Sequence, residues 1–500
     1  IVNPYGKLIR KRKVSPEEWY SLYLENFESK FEWKEKRDLD KKELLPKNHF
    51  KIPNRRKQFS IFAMRDALSK LKDKQYLAIN VLEAPILAVI LAFFIKFLAG
   101  SEGDPNLYIF SENVNIPAYL FMSVVVALFI GLNVSAEEII RDRRLRQRES
   151  FLNLSRFSFL NSKVFVLFII SAIQSLSFVL IGNYILEIKG LTFQYWAIIF
   201  STACFANMLG LNISSGLNSV VAIYILIPLI LVPHLLFSGI IVSFDKLHNS
   251  VTSKEFVPRI GDVMVTRWSY EALAVAQFKN NRYQKHFFEA EQEMSRSSYY
   301  SSTLIPELNK LNDACLWALQ RGDQARVDEY SAPLTAAFKQ MEAKEHNETV
   351  ESILGRLPEQ YDDKVHSKIK SFLSGKQTEY NRKFQYYSSL KDAKIEEMVN
   401  NSSLEEVIRL KQEYFNEALA DWMLDRREVR QFEFIDNTFI QKKHPVYKEA
   451  KGKWGRSHFY AASKKFGPIN IPTPVFNVIV MWLGIALLYL TLYLDILRRI

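Results

Sequence analysis

The sequence predicts an all-α fold: a polytopic membrane protein with six transmembrane helices and a helical extracytoplasmic domain between helices five and six. Three observations predict it. Six apolar runs each approach the ~20 residues that a helix needs to cross the hydrocarbon core of a bilayer. Five of them fall between 78 and 242 and the sixth at 475–494, with a polar stretch, 243–474, between the fifth and the last. Lys and Arg crowd the segments that flank the runs on one side. A soluble enzyme is therefore excluded at the outset, although 24% of the residues are charged, because soluble and membrane parts average out.

The first 57 residues carry no apolar run. Charges mix with Trp19, Tyr20, Tyr23 and Trp33, and the chain starts at Ile1 rather than Met. This reads as a cytoplasmic linker or the tail of a domain lying upstream. No charged n-region with a short apolar stretch and a small-residue cleavage site opens the chain, so no cleaved signal peptide is expected. From about 59 to 74, Phe59, Phe62, Ala63, Leu68 and Leu71 are set among Arg65, Lys70, Lys72 and Lys74. That basic amphipathic pattern predicts a helix lying in the membrane interface.

The spans follow at 78–98, 116–134, 164–186, 193–211, 220–242 and 475–494. The positive-inside rule orients them. Residues 1–77 hold 20 Lys/Arg against 11 Asp/Glu, the loop after the second span holds Arg141, Arg143, Arg144, Arg146, Arg148, Arg156 and Lys163, and the chain ends with Arg498 and Arg499. All three segments belong in the cytoplasm, which leaves 243–474 outside. That stretch is balanced, with 34 Lys/Arg and 32 Asp/Glu over 250–470, but long domains translocate largely regardless of charge. The net charge of +12 thus sits beside the membrane, where topology and anionic lipid explain it and no nucleic-acid partner is needed.

Within the spans, Glu83 lies two residues before Pro85 and reads either as a bundle-facing contact or as an interfacial carboxylate; Lys96 snorkels. Asn133, Gln174, Asn183 and Asn207 are neutral polar groups, of the kind that glue helices together or line a path. The fifth span carries Pro228, Pro233 and His234 followed by Phe237-Ser238-Gly239, so freed carbonyls are expected there. The most patterned loop runs from Glu137 and Glu138 through Arg141 to Arg148 and Glu149. Acid and base alternate with sparse Ile140 and Leu145, which predicts a helix at the membrane surface, within 136–158, with either a solvated face or a docking face.

The insert, 281–455, is rich in Glu, Lys, Gln, Ala and Leu. Leu304, Leu308, Leu311, Cys315 and Leu319 recur at helical spacing, as do Leu404, Val407, Leu410, Tyr414, Ala418 and Trp422. Antiparallel helices are expected, with breaks near Gly322, Pro333, 355–358, Gly375 and Pro445. The run 451–465 is basic and aromatic and reads as an interfacial anchor or a lipid-headgroup contact. Cys204 and Cys315 fall in different regions, so no internal disulfide and no tetrahedral zinc site is expected. His444, His458, Asp436 and Glu449 lack metal-ligand spacing, and no metal is predicted. No Gly-x-x-x-x-Gly-Lys-Ser/Thr phosphate cradle is present; Ser374-Gly375-Lys376 is too short. No catalytic residue is assigned.

Several stretches in this order resemble the transmembrane half of G-subfamily ABC transporters, within the type-2 exporters. They are Arg65-Asp66 leading to Glu83-Ala84-Pro85, then Glu138, Arg148-Glu149, Ser162-Lys163 and Gln174, then Ile227-Pro228, Pro233 to Gly239, and Arg267 to Leu273. The likeness covers about 58–280 and 470–500. It implies that Glu137, Glu138, Arg141, Arg148 and Glu149 lie on a coupling helix resting on a nucleotide-binding domain. It also implies that two permease halves pair, with Asn133, Gln174, Pro228, Pro233, His234 and Phe237 lining a path near the dimer axis. ATP and Mg are expected on the nucleotide-binding domain, upstream in the same polypeptide or on a separate chain. Glu83 and His234 depart from the family, whose members often carry an uncharged amide there. The large disulfide-free insert favours a bacterial inner membrane with the insert in a periplasm, where it meets a possible periplasmic partner. The resemblance thus implies an ATP-driven exporter of an apolar or amphipathic substrate. Two alternatives stand beside it: a non-transporting relay of ATP-driven motion, and a membrane-anchored receptor without an ATPase.

Overall fold

The computed structural model describes residues 14–28, 53–98, 100, 107–149, 154–345, 348–357, 361–435 and 438–499. Two compact units divide the chain, Ile1–Pro53 and Asn54–Ile500. The first contains α1 (Pro16–Asn26). Ser15 caps it, its hydroxyl accepting from the Glu18 amide at 3.1 Å while Glu18 reaches back, and Pro16 opens its first turn. Trp19, Tyr20 and Tyr23 are exposed on α1; Trp33 lies outside the described residues.

The second unit starts with α2 (Arg55–Lys72), which Asp73 separates from α3 (Lys74–Ile95) by capping the Tyr76 amide at 3.0 Å. Then come α4 (Ile116–Ser135), α5 (Glu138–Arg148), α6 (Arg156–Ile185), α7 (Thr192–Gly216) and α8 (Val220–Leu236). Further on, α18 (Thr473–Tyr493) and α19 (Ile496–Arg499) close the chain. Among the described residues, five helices are long and apolar enough to cross a membrane: α3, α4 continued by α5, α6, α7 and α18. The expected fifth span, 220–242, is shorter than predicted. Its helix covers 17 residues and stops at Leu236, where the Ser238 hydroxyl bonds the Leu235 carbonyl and Gly239 takes a φ of +83°. At 1.5 Å per residue such a helix measures about 25 Å.

Small residues set the helix contacts. Ala84, Ala88 and Ala92 are the buried stripe of α3, which packs on α6, while Ile86, Ile90 and Phe94 face outward. The tightest pair is α4 with α7. A Cβ at Gly131 would meet the Ala203 carbonyl oxygen at 2.6 Å, so only glycine lets the two backbones approach this closely.

After α8 the chain turns back through α9 (Arg259–Val263) into α10 (Val265–Lys279). Every residue from Val265 to Phe278 is buried, and α10 packs against α4, α7 and α18. A boundary between bundle and insert at 242/243 would therefore cut through one packed core.

The insert continues with α11 (Phe288–Tyr299), α12 (Ile305–Gln320), α13 (Gln324–Glu345), α14 (Glu348–Leu354), α15 (Asp363–Asn401), α16 (Leu404–Tyr414) and α17 (Glu417–Met423). A second core gathers Leu308, Cys315, Leu334, Phe338, Ile369 and Leu373. Cys204 and Cys315 are free, one in each core. Two readings need correction. Pro333 does not break α13 and Gly375 does not break α15, a helix of 39 residues. Leu334 and Phe338 beside the proline, and Ile369 and Leu373 before the glycine, are buried, and that packing outweighs the ~1 kcal/mol helix cost of a glycine. The insert, mostly helical as expected, also carries two short hairpins. Strands β1 (Phe432–Ile435) and β2 (Thr438–Gln441) pair antiparallel, as do β3 (Ser463–Phe466) and β4 (Ile469–Pro472). Gly467, with a φ of +59°, supplies the left-handed backbone that the tight β3–β4 turn needs.

Candidate functional site

Helix α5 is held to the bundle on one side only. The Ser214 hydroxyl of α7 accepts from the amides of Ile139 and Ile140 at 3.0 and 3.1 Å, satisfying donors that a helix start leaves unpaired. Glu138, 4% exposed, lies between Lys70 of α2 and Lys163 of α6. Lys163 Nζ is 2.9 Å from Glu138 Oε2 and 2.8 Å from Asp142, and it also reaches Asp66, which Lys70 meets at 3.4 Å. Two lysines and three carboxylates thus join α2, α5 and α6 in one mostly buried network, the arrangement in which buried charges are tolerable. At the far end of α5, Glu149 meets Arg65 of α2 at 2.6 Å. Glu137 is half-buried and accepts a bond from the Tyr224 hydroxyl of α8.

The other face of α5 is open. Arg141, Arg144, Leu145 and Arg148 are exposed, with Arg144 and Arg148 one turn apart. Of the five residues singled out in this loop, Glu138, Glu149 and Glu137 are spent on internal contacts, Arg148 faces out, and Arg141 is exposed but lies over the Tyr76 ring of α3 at 5.9 Å.

The six residues singled out as a path do not converge on one cavity. Gln174, buried on α6, donates to the Asn80 carbonyl of α3 at 2.9 Å, and Asn133 donates to Glu83 at 3.5 Å, so both turn toward α3. Asn207 donates to Ser171 at 2.7 Å, binding α7 to α6 as helix glue. A space of about 10 Å³ lies beside Gln174. On α8, Pro228 is exposed and Pro233 and Phe237 are half-buried. His234 is buried, with Nδ1 3.0 Å from the Ile230 carbonyl, while its own carbonyl accepts from Thr266 of α10 at 2.6 Å. The His234 carbonyl is left open where α8 ends at Leu236, and α10 supplies its donor.

A second buried cluster lies where α10 meets α18. Arg267, Glu271, Lys464 and Asn477 are at most 1% exposed. Glu271 Oε2 takes Lys464 Nζ at 2.5 Å and Asn477 Nδ2 at 2.9 Å, with Arg267 at 3.6 Å and stacked over Trp268. Lys464 of β3 is thus no interfacial anchor; its ammonium is inside. Nothing in the sequence links Lys464 or Asn477 to Glu271, some 200 positions away. The only local signal was the i, i+4 spacing of Arg267 and Glu271.

Among the described residues no group of His, Cys, Asp and Glu is placed to hold a metal ion, and Asp436 lies outside them. His444 touches Ser295 at 2.8 Å and His458 touches the Pro445 carbonyl at 2.7 Å.

Comparison with curated proteins gives no match. Residues 57–278, from α2 to α10, match the family model of the ABC-2 type transporter. That segment holds α3 to α8 and most of α2 and α10, while α18 lies outside it. The chain is therefore a multi-pass membrane protein that carries an ABC-2 type transporter membrane domain, the permease component of an ABC transporter.

Proposed function

We propose that this permease works as one half of an ATP-driven exporter. Two copies pair, α5 docks a nucleotide-binding domain that brings ATP and Mg, and an apolar or amphipathic cargo leaves toward the side that carries the insert. The inner membrane is the setting, with residues from about 243 to 474 extracytoplasmic. The observation that carries the reading is the two-sidedness of α5. Its inner face is locked to α2, α6 and α7, so a push on the helix moves those elements together. Its outer face offers Arg141, Arg144, Leu145 and Arg148 to a partner. Exposed ion pairs contribute little stability, so an open basic face with a central leucine is better explained by contact than by helix stability.

The test is the native complex purified from membranes, with and without Arg144→Glu and Arg148→Glu. We expect a nucleotide-binding domain to co-purify, vanadate-sensitive ATPase activity, and loss of both in the double variant while the permease melts as before. A double variant with full activity would sink the docking face. Absence of any ATPase would sink the ATP-driven reading altogether.

A second reading, a relay of motion to an extracytoplasmic partner without cargo, is favoured by one observation. Gln174 and Asn133 turn into helix contacts, and the space that Gln174 lines is about 10 Å³. Measuring ATPase together with uptake into inverted vesicles separates the two.

A further inference from the structure

A cavity that joins the two cores lies in the insert, and its walls differ. It measures about 570 Å³, inside the roughly 300–1,000 Å³ range of ligand sites. One wall belongs to the second core: Leu304, Met341, Val350, Phe372 and Phe439, floored by Tyr300 and Tyr380 stacked at 4.6 Å. The opposite wall, from the segment that leads from β2 to β3, is cationic and contributes Lys448, Lys451 and Lys465.

The charges on this wall do not cancel. Glu449 is taken by Arg296 at 2.8 Å and Glu255 by Lys451 at 2.8 Å, and Lys376 uses Glu379 at 3.1 Å. Lys448 and Lys465 make no ion pair with a carboxylate among the described residues. Lys448 rests its ammonium on the Gln441 carbonyl at 2.7 Å. Burial pushes that ammonium down to about 8, with Lys442 and Lys451 pressing the same way and Asp245 and Asp425 opposing. An ammonium desolvated without a counter-ion is costly, and an anion on the cavity side would relieve it. Lys448 also stands in the wall of a neighbouring cavity of about 320 Å³, which extends to Phe244 and Gly239 just beyond α8.

We propose that this cavity binds an anionic amphiphile, a single acyl chain carrying a negatively charged head group. The chain would lie against Met341, Phe372 and Phe439, and the head would meet Lys448 and Lys465. A bare anion would leave the apolar wall unused, and a neutral apolar molecule would leave Lys448 uncompensated. The proposal is independent of the transport reading, because binding needs neither nucleotide nor a partner domain.

The test is titration of the full chain in nanodiscs with the fluorescent acyl carboxylate cis-parinarate, empty nanodiscs subtracted, and with its neutral methyl ester. We expect saturable binding of the carboxylate, weakened about tenfold or more by Lys448→Gln with little change for the ester. Met341→Trp, which fills the apolar end, should abolish binding of both. Unchanged melting curves show that the variants fold. Equal binding by wild type and both variants would assign the probe to the bilayer and overturn the site. Full displacement by inorganic phosphate, with Met341→Trp binding normally, would make it a simple anion site and overturn the amphiphile.

Discussion

The two buried charge clusters sit toward opposite ends of the bundle and are built differently. The α5 network joins three helices, sets two lysines among three carboxylates, and remains open to solvent at Asp142, 23% exposed. The α10 cluster has one sealed carboxylate, Glu271, serving Arg267, Lys464 and Asn477, with the part-exposed Asp262 at its edge, 3.8 Å from Arg267. The ends of α18 mark the separation: it begins beside Asn477, and just past its end Asp495 meets Arg156, the first residue of the helix that carries Lys163. A shared, redundant network suits an element that must move as a unit with its neighbours. A single sealed carboxylate suits a fixed joint. The comparison teaches that equal burial does not mean equal dependence on any one residue, and it can be broken or sharpened by experiment.

The largest effect is expected at Glu271. Glu271→Gln leaves Arg267 and Lys464 buried, with only Asp262 near, at 3.8 Å from Arg267. Breaking a buried pair in this way costs about 3–5 kcal/mol. We expect a large drop in the melting transition of the purified permease, or failure to accumulate. Glu271→Leu combined with Lys464→Met should recover part of the loss, since apolar replacement of both partners removes the stranded charge. A single variant as stable as wild type would end the idea of a fixed joint.

A smaller loss is expected at Glu138, because redundancy limits it. In Glu138→Gln, Lys163 keeps Asp66 and Asp142, and Lys70 keeps Asp66. The loss should be about 1–3 kcal/mol, in the range for hydrogen bonds to charged groups. The functional effect should exceed the stability effect: ATPase activity persists but no longer drives transport, read as the ratio of the two rates. A melting loss as large as that of Glu271→Gln would erase the distinction between the clusters.

These two clusters also mark how far the sequence could be read. The apolar runs 116–134 and 475–494 sit within a residue or two of α4 and α18, because a hydrophobic length requirement is a local property. The motif residues Asp66, Glu138 and Lys163 stood out through a resemblance, but their meeting is a tertiary fact that no local pattern shows. Lys464 went the other way. In a run with Lys451, Lys453, Arg456 and Lys465 it reads as one more surface cation, yet strand alternation in β3 turns it inward while Lys465 stays half-exposed. The burial of α10 was equally hidden, since Arg267, Glu271 and Gln277 make its sequence look polar; the partners supplied by α7, α18 and β3 make it a core helix. The hairpins were missed because four-residue strands carry too short a pattern to stand out in a helix-rich stretch.

The insert's own charged wall supplies a third contrast, read by pH. The Lys448 ammonium sits at about 8, below its ordinary 10.5, so the folded chain holds fewer protons than the unfolded chain between these values. Stability from this group is therefore fully present above about 10.5 and is lost as pH falls through 8. Between pH 8 and 10, melting temperatures of wild type relative to Lys448→Met should rise with pH. A flat difference would mean that the ammonium is solvated, and the contrast between this wall and the compensated clusters would disappear.

The smallest stability effect is expected at the pair that closes the far end of α5. Arg65 and Glu149 approach to 2.6 Å but keep 37% and 24% of their side chains exposed. Exposed pairs are typically worth less than about 1 kcal/mol and weaken with salt. Arg65→Glu alone should therefore barely shift the melting transition. It should nevertheless slow ATP-driven activity, because it repels Glu149 and loosens the end of α5 beside the exposed Arg148. The reversed pair, Arg65→Glu with Glu149→Arg, should restore the rate at low ionic strength, and less completely in high salt. Restoration by the reversed pair would identify this contact as part of the lever. Wild-type activity in the single variant would confine the lever to the buried network around Glu138, where redundancy among the carboxylates would then have to carry the whole load.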